Sequence, residues 1–111
     1  MEITFQSSKL TKVFNSEQKL IQEFGPRNAR AIIRRMMVLA AAPSLSYVSN
    51  RPPERRHELT GNRAGTFAVD IKHPYRIIFG PNHDPLPLKA DGGIDPGRVT
   101  AVTILGVEDY H

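Results

Sequence analysis

Histidine, arginine and carboxylate residues stand where they could move protons and stabilise a negative charge. His57 and Arg76 lie in strand-like segments, and residues 108–111 read Glu-Asp-Tyr-His. Imidazole titrates near neutrality and therefore suits proton transfer. A guanidinium stays ionised, and its planar fork matches two oxygens of a phosphate. Together these residue types suit acid–base chemistry beside a phosphate group.

The segment from 109 to 111 has a catalytic and an ordinary interpretation. His111 could transfer a proton, and Asp109 could orient a histidine or favour its imidazolium form. Tyr110 could hydrogen-bond a phosphate or stack on a base. Alternatively, His111 and Asp109 are solvated residues that follow a strand, where side chains are usually mobile, and Tyr110 is an aromatic at a sheet edge. Residue types alone leave both interpretations open.

His57 and Arg76 are also open to structural interpretations. Alternation along the segment puts His57 on the same side as Leu59, which is typical of a partly buried structural histidine. Arg76 lies on the strand face opposite its apolar neighbours, where a charge is costly unless it is paired or faces a solvated cleft. Pairing with Asp70 or Asp109 competes with phosphate binding, and we favour phosphate binding.

Helices early in the chain and strands later must position these residues. Ser7 or Ser8 is placed to cap a brief helix, and Ser16 to cap the next. After a Gly-Pro interruption, apolar residues recur at helical spacing with arginines on the other side, which predicts an amphipathic helix over 27–41. Pro43 ends it, because the residue before a proline is pushed out of the helical region.

Strand patterns predict a sheet. Apolar and β-branched residues alternate or cluster in five segments: 2–6, 55–60, 66–72, 75–80 and 98–107. The order of elements predicts an α+β fold, with the N-terminal strand and the helices packed on one face of a small antiparallel sheet. We expect a single domain over 1–111 and a long, mobile loop at about 81–97, which is rich in Pro, Gly and Asp.

Composition and missing motifs exclude several classes of protein. The 111 residues include no cysteine, which rules out disulfides, thiolate metal sites and thiol catalysis. Gly-rich phosphate loops, His-Glu-x-x-His and Gly-x-Ser-x-Gly are also absent from the sequence. No signal peptide is readable, and the apolar run 36–42 is too short to span a membrane. We expect a soluble, cytoplasmic protein.

Charge is distributed unevenly along the chain. Residues 1–63 carry 11 Lys and Arg against 5 Asp and Glu, whereas residues 64–111 carry 4 against 6. The basic N-terminal portion could follow a phosphate backbone. A solvated helical surface explains the charge equally well.

Three segments in order resemble the HigB branch of the RelE toxin superfamily. Residues 57–65 read His-Glu-Leu-Thr-Gly-Asn-Arg-Ala-Gly, residues 75–79 read Tyr-Arg-Ile-Ile-Phe, and residues 109–111 read Asp-Tyr-His. These toxins carry a leucine-x-glycine-x-arginine-x-glycine segment, an aromatic-arginine-isoleucine segment one strand later, and often an aspartate-tyrosine-histidine end. The predicted order of helices and strands agrees with that family over nearly the whole chain.

The resemblance implies the toxin of a type II toxin–antitoxin system, a ribosome-dependent and metal-independent mRNA endoribonuclease without a cofactor. Its partners would be a HigA-like helix-turn-helix antitoxin and mRNA on the ribosome, with no membrane. The implied catalytic residues are His57, Arg76, Asp109, Tyr110 and His111. The residues expected to line the RNA path are Arg55, Arg56, Arg63 and Lys72.

Two features depart from the HigB pattern. Thr60 stands where the family often has a basic residue, and the loop 81–97 is longer than the usual turn. A non-nuclease toxin of the same fold that is directed at gyrase, or an inactive homologue kept as a binding protein, remain the alternatives, since a shared fold does not establish activity.

Overall fold

The computed structural model describes residues 1–109, which form two helices packed against one sheet. The helices are α1 (Ser8–Phe14) and α2 (Glu17–Ala41). The strands are β1 (Glu2–Phe5), β2 (His57–Glu58), β3 (Phe67–Asp70), β4 (Tyr75–Pro81) and β5 (Ala101–Asp109). Short 3-10 turns lie at Leu45–Tyr47, Gly61–Arg63 and Pro96–Arg98.

Serine caps begin both helices, as the sequence predicts. The Ser7 hydroxyl accepts a hydrogen bond from the Leu10 amide at 3.1 Å, and the Ser16 hydroxyl accepts one from the Lys19 amide at 3.2 Å. Each cap satisfies an amide that has no partner within its helix. A kink at Gly25, where φ is 82°, divides α2 into a short first part and the long amphipathic part.

The predicted α+β fold is confirmed, and the sheet is mixed. Its strand order is β1-β5-β4-β3-β2, with β1 parallel to β5 and the other neighbours antiparallel. We expected an antiparallel sheet throughout. β1 and β5 are joined by both helices and the other three strands, and a parallel pair needs a long connection of this kind instead of a tight hairpin turn.

The two faces of the sheet differ. One face packs against the helices and forms the main core, whose largest buried members include Leu20, Ile32, Leu39, Ile77, Phe79 and Ile104. Within residues 1–109, the other face has a smaller cluster of Leu59, Ala68 and Ile78, with Leu105 packed against it. Because this second face is covered by so few apolar side chains, the remainder of it is available for polar residues.

The long segment after β4 contains a short hairpin. Leu88 and Ile94 form an isolated antiparallel bridge, and the Lys89 amide donates to the Gly93 carbonyl at 2.7 Å. His83, for which the sequence predicts no role, accepts hydrogen bonds at Nε2 from the amides of Thr100 and Ala101. A bridge of one residue pair leaves no periodic signal, which is why the sequence pattern does not reveal this hairpin.

None of the helices within residues 1–109 is long and apolar enough to cross a membrane.

Candidate active site

A cleft of about 340 Å³ opens on the sheet face away from the helices. Its walls come from β2, the turn that follows, and the middle of β4, and the lining residues are His57, Glu58, Leu59, Thr60, Arg63 and Arg76. His57 and Arg76 belong to β2 and β4, the two strands that flank β3. In the register of the sheet, His57 lies opposite Ala68 and Arg76 lies opposite Asp70. The fold thus brings together a histidine and two arginines that the sequence analysis singled out.

Arg76 stands in a cross-strand row between two carboxylates. Asp70 of β3 lies opposite it on one side, and Glu108 of β5 lies opposite it on the other. Each carboxylate also binds an arginine from outside the row. Arg55 donates to Asp70 at 2.6 and 3.1 Å, and Arg63 donates to Glu108 at 2.7 Å through both terminal nitrogens. Charges therefore alternate along this edge of the cleft, with arginines exceeding carboxylates by one.

The Glu108 carboxyl remains ionised in this arrangement. Its hydrogen bonds to the Arg63 guanidinium lower the pKa of Glu108 by more than burial raises it, and the positive charges of Arg63 and Arg76 lower it further. A carboxyl with a lowered pKa is a poor proton donor near neutral pH. Glu108 therefore binds arginine and is poorly suited to donate a proton.

A β-bulge decides which acidic residue of β5 faces the cleft. Ile104 lies opposite Phe79 and Gly106 lies opposite Ile78, so Leu105 is an extra residue in β5. Strict alternation from the buried Ile104 would put Asp109 on the cleft face. The extra residue reverses the alternation, so that Glu108 lies on that face.

Asp109 is placed away from the cleft. It lies opposite Tyr75 on the sheet face that carries the main core, and it is exposed beyond the edge of that core. The structure therefore does not bring Asp109 together with His57 and Arg76. Tyr110 and His111 lie outside the described residues.

His57 is half-buried, and its ring orientation is defined. Nδ1 lies 2.9 Å from the backbone carbonyl oxygen of Arg55. A carbonyl oxygen can only accept, so Nδ1 must carry the hydrogen. In the neutral ring this tautomer makes Nε2 the nitrogen that can take up a proton, which is the state that a general base needs.

The residues predicted to line the RNA path occupy different environments. Arg63 lines the cleft. Arg55 is half-buried in its ion pair with Asp70. Arg56 donates from Nε to the Val48 carbonyl at 2.9 Å, and burial lowers the pKa of its guanidinium.

Lys72 is exposed at the turn between β3 and β4, where its backbone amide donates to the Asn28 side chain. Among the described residues, the cleft lining includes neither Arg56 nor Lys72.

Three residues of this network have no assigned role in the sequence analysis. The sequence predicts no partner for Glu108, it offers Asp70 only as a partner for Arg76, and it places Arg35 within the amphipathic helix predicted over 27–41. Arg35 is in fact buried, and its Nε donates to the Asp70 carbonyl at 2.7 Å. Its angle on the helix, at the edge of the arginine face, is the one signal that could have distinguished it.

Within residues 1–109, no cluster of three or more His, Asp or Glu side chains is arranged to hold a metal ion. The cleft offers arginine guanidinium groups and one imidazole. Such a set can bind a phosphate oxygen and move a proton at neutral pH.

The fold is that of YoeB/ParE-type toxins. The chain resembles a YoeB/ParE toxin from Agrobacterium tumefaciens over 100% of both chains, with a TM-score of 0.59 and 11% identity. It also resembles structures of a YoeB-YefM complex and of a YoeB dimer, both from Staphylococcus aureus, with TM-scores of 0.55 and 0.52 at 14% and 15% identity. These two matches cover 100% of this chain and 97% of the other chain. No protein-family model and no curated protein matches the sequence.

Proposed function

We propose that the protein is the toxin of a type II toxin–antitoxin system, of the HigB type, and that it cleaves mRNA on the ribosome. The observation that carries this proposal is the cleft that joins the His57 imidazole with the guanidinium groups of Arg63 and Arg76. The toxin fold supports the same reading. A toxin that only bound gyrase would have no need of a histidine held in one tautomer beside an arginine.

The chemistry is attack by the 2′-OH of the RNA on the adjacent phosphorus. His57 Nε2 takes the proton of the 2′-OH as the new O–P bond forms. Arg76, with Arg63 beside it, stabilises the negative charge that develops on the phosphorane oxygens. The bond to the 5′-oxygen then breaks, and His111 returns a proton to that leaving group. The products are a 2′,3′-cyclic phosphate and a 5′-hydroxyl.

The proposed roles of residues 109–111 rest on the resemblance to HigB toxins. Tyr110 would contact the phosphate or stack on a base. Because Asp109 lies away from His57, its carboxylate would act on the imidazolium of His111. Arg55, Arg56 and Lys72 would guide the RNA backbone toward the cleft.

Cleavage products from purified ribosomes test the proposal directly. We expect message translated with this protein to be cut and its new fragments to carry 5′-hydroxyl ends. Cleavage should be unchanged when the protein is treated with EDTA and desalted before it is added, because the nucleophile is the RNA's own hydroxyl. The ribosomes then retain their magnesium.

Fragments that bear 5′-phosphates would contradict the 2′-OH mechanism. Growth arrest with intact message and inhibited gyrase would favour the gyrase-directed alternative. Neither growth arrest nor cleavage would indicate the inactive binding homologue.

We also propose that the partner is a helix-turn-helix antitoxin of the HigA type, encoded beside the gene, and that part of it docks in an apolar groove. The groove has a volume of about 420 Å³ and lies between β1, α1 and the outer side of α2. Met37 lines it and is 66% exposed, which is unusual for a large apolar side chain. Arg30 and Arg34 are exposed on the same helix one turn from the lining residues, so an acidic amphipathic helix would suit this surface.

Substitution of Met37 by aspartate tests the docking surface. Met37→Asp should still arrest growth, since the groove is remote from the cleft, but co-expression of the neighbouring helix-turn-helix protein should no longer restore growth. Tyr47→Asp is the matched control, because Tyr47 is 70% exposed and does not line the groove. Neutralisation of Met37→Asp as fully as the wild type would rule out this docking surface.

A further inference from the structure

The backbone just before the cleft adopts an unusual conformation at Arg55. Its φ is 47°, in the left-handed region that residues with a Cβ rarely occupy. Such a conformation is energetically unfavourable for a residue with a Cβ and persists only where surrounding contacts enforce it. The Arg55 amide donates to the Arg51 carbonyl at 2.9 Å within its own turn, and the contacts that tie this segment to the sheet are made by Asp70.

Asp70 holds the Arg55 segment through both its backbone and its side chain. Its carboxylate receives two hydrogen bonds from the Arg55 guanidinium, at 2.6 and 3.1 Å. Its amide donates to the Glu54 carbonyl at 2.8 Å. The segment before β2 is therefore attached to β3 at two successive residues.

Asp70 is itself fixed from the core side. The buried Arg35 of α2 donates to the Asp70 carbonyl at 2.7 Å, and the cross-strand register with Arg76 holds the residue in β3. Asp70 thus has contacts with the main helix, with its neighbouring strand and with the segment that leads into the cleft.

We infer that Asp70 is a positioning residue for His57. Its carboxylate keeps Arg55 in the left-handed conformation, and in that conformation the Arg55 carbonyl accepts the Nδ1 hydrogen of His57 at 2.9 Å. The consequence is a single ring tautomer, with Nε2 as the proton acceptor. Asp70 acts through the backbone of Arg55 and makes no contact with the reacting atoms.

The ring tautomer of His57 can be measured without reference to any activity. In the 15N NMR spectrum of the full-length protein, the neutral ring of wild-type His57 should carry its hydrogen on Nδ1. Asp70→Asn keeps the shape of the side chain but removes the charge that binds Arg55, so both tautomers should appear. Asp95→Asn is the matched control, because Asp95 forms an ion pair with Arg98 in the segment after β4, and it should leave the His57 signals unchanged.

A second pair of variants separates the backbone from the ion pair. Arg55→Ala should mix the tautomers as Asp70→Asn does, since alanine disfavours a positive φ. Arg55→Gly should retain more of the Nδ1-protonated form, because glycine adopts a positive φ without strain. This pair also serves as the test if Asp70→Asn does not fold.

The activity readout rests on the proposed function. On the ribosome, Asp70→Asn should lower kcat by about 10- to 100-fold with a smaller change in KM, as expected for loss of a group that orients an imidazole. A wild-type tautomer in Asp70→Asn, or in Arg55→Ala where the first variant does not fold, would overturn the inference. Mixed tautomers in a protein that never cleaves RNA would contradict the proposed function and leave the positioning role intact.

Discussion

Replacing Arg76 by alanine should lower the rate of mRNA cleavage by about 30- to 1000-fold, equivalent to about 2–4 kcal/mol of transition-state stabilisation. The reason is its place in the cleft wall, between two carboxylates that hold two further arginines. Arg76→Lys should recover only part of the rate, because an ammonium keeps the charge but not the planar fork that binds two phosphate oxygens. Single-turnover cleavage on programmed ribosomes measures the effect.

Two controls separate catalysis from folding. Arg27→Ala removes an exposed arginine of α2 and should cut at the wild-type rate. Urea unfolding of Arg76→Ala should show a cooperative transition, although the variant leaves Asp70 and Glu108 without the charge between them. A folded Arg76→Ala protein that cleaves message at the wild-type rate would show that Arg76 does not hold the phosphate.

Replacing either His57 or His111 by glutamine should lower cleavage by about 10²- to 10⁴-fold, the usual contribution of one acid or base. Glutamine is polar and similar in size, but it cannot transfer a proton near pH 7. For His57 the expectation rests on its place in the cleft and its fixed tautomer. For His111, which lies outside the described residues, it rests on the resemblance to HigB toxins alone.

The pH dependence of kcat/KM distinguishes the two roles. The wild-type profile should be bell-shaped, with one limb for the base and one for the acid. His57→Gln should lose the acidic limb, and His111→Gln the alkaline limb. His73→Gln, an exposed histidine outside the cleft lining, should keep the whole profile. Wild-type cleavage by His111→Gln would leave His57 as the remaining candidate histidine.

Local sequence signals were sufficient for most of the secondary structure. The serine caps at Ser7 and Ser16, the break at Gly25 and the end of α2 before Pro43 all depend on residues next to one another in the chain. The strand segments follow in the same way from alternating and β-branched residues. Interactions between residues close in sequence decide such features, so they could be predicted without knowledge of any tertiary contact. The parallel pairing of β1 with β5 could not, because it joins residues about a hundred positions apart.

The sequence by itself determined which residue types were available for chemistry, and it pointed to His57 and Arg76 as candidates. Tertiary structure alone decided their surroundings. Arg63 and Glu108 are 45 positions apart and meet only because β5 crosses the cleft face. One extra residue in β5 places Glu108 on that face instead of Asp109. Side chains alternate between the two faces with a period of two, and a single bulge reverses that alternation. The tautomer of His57 likewise depends on the contact between Asp70 and Arg55, which fixes the Arg55 backbone. The local sequence around His57 does not predict that contact.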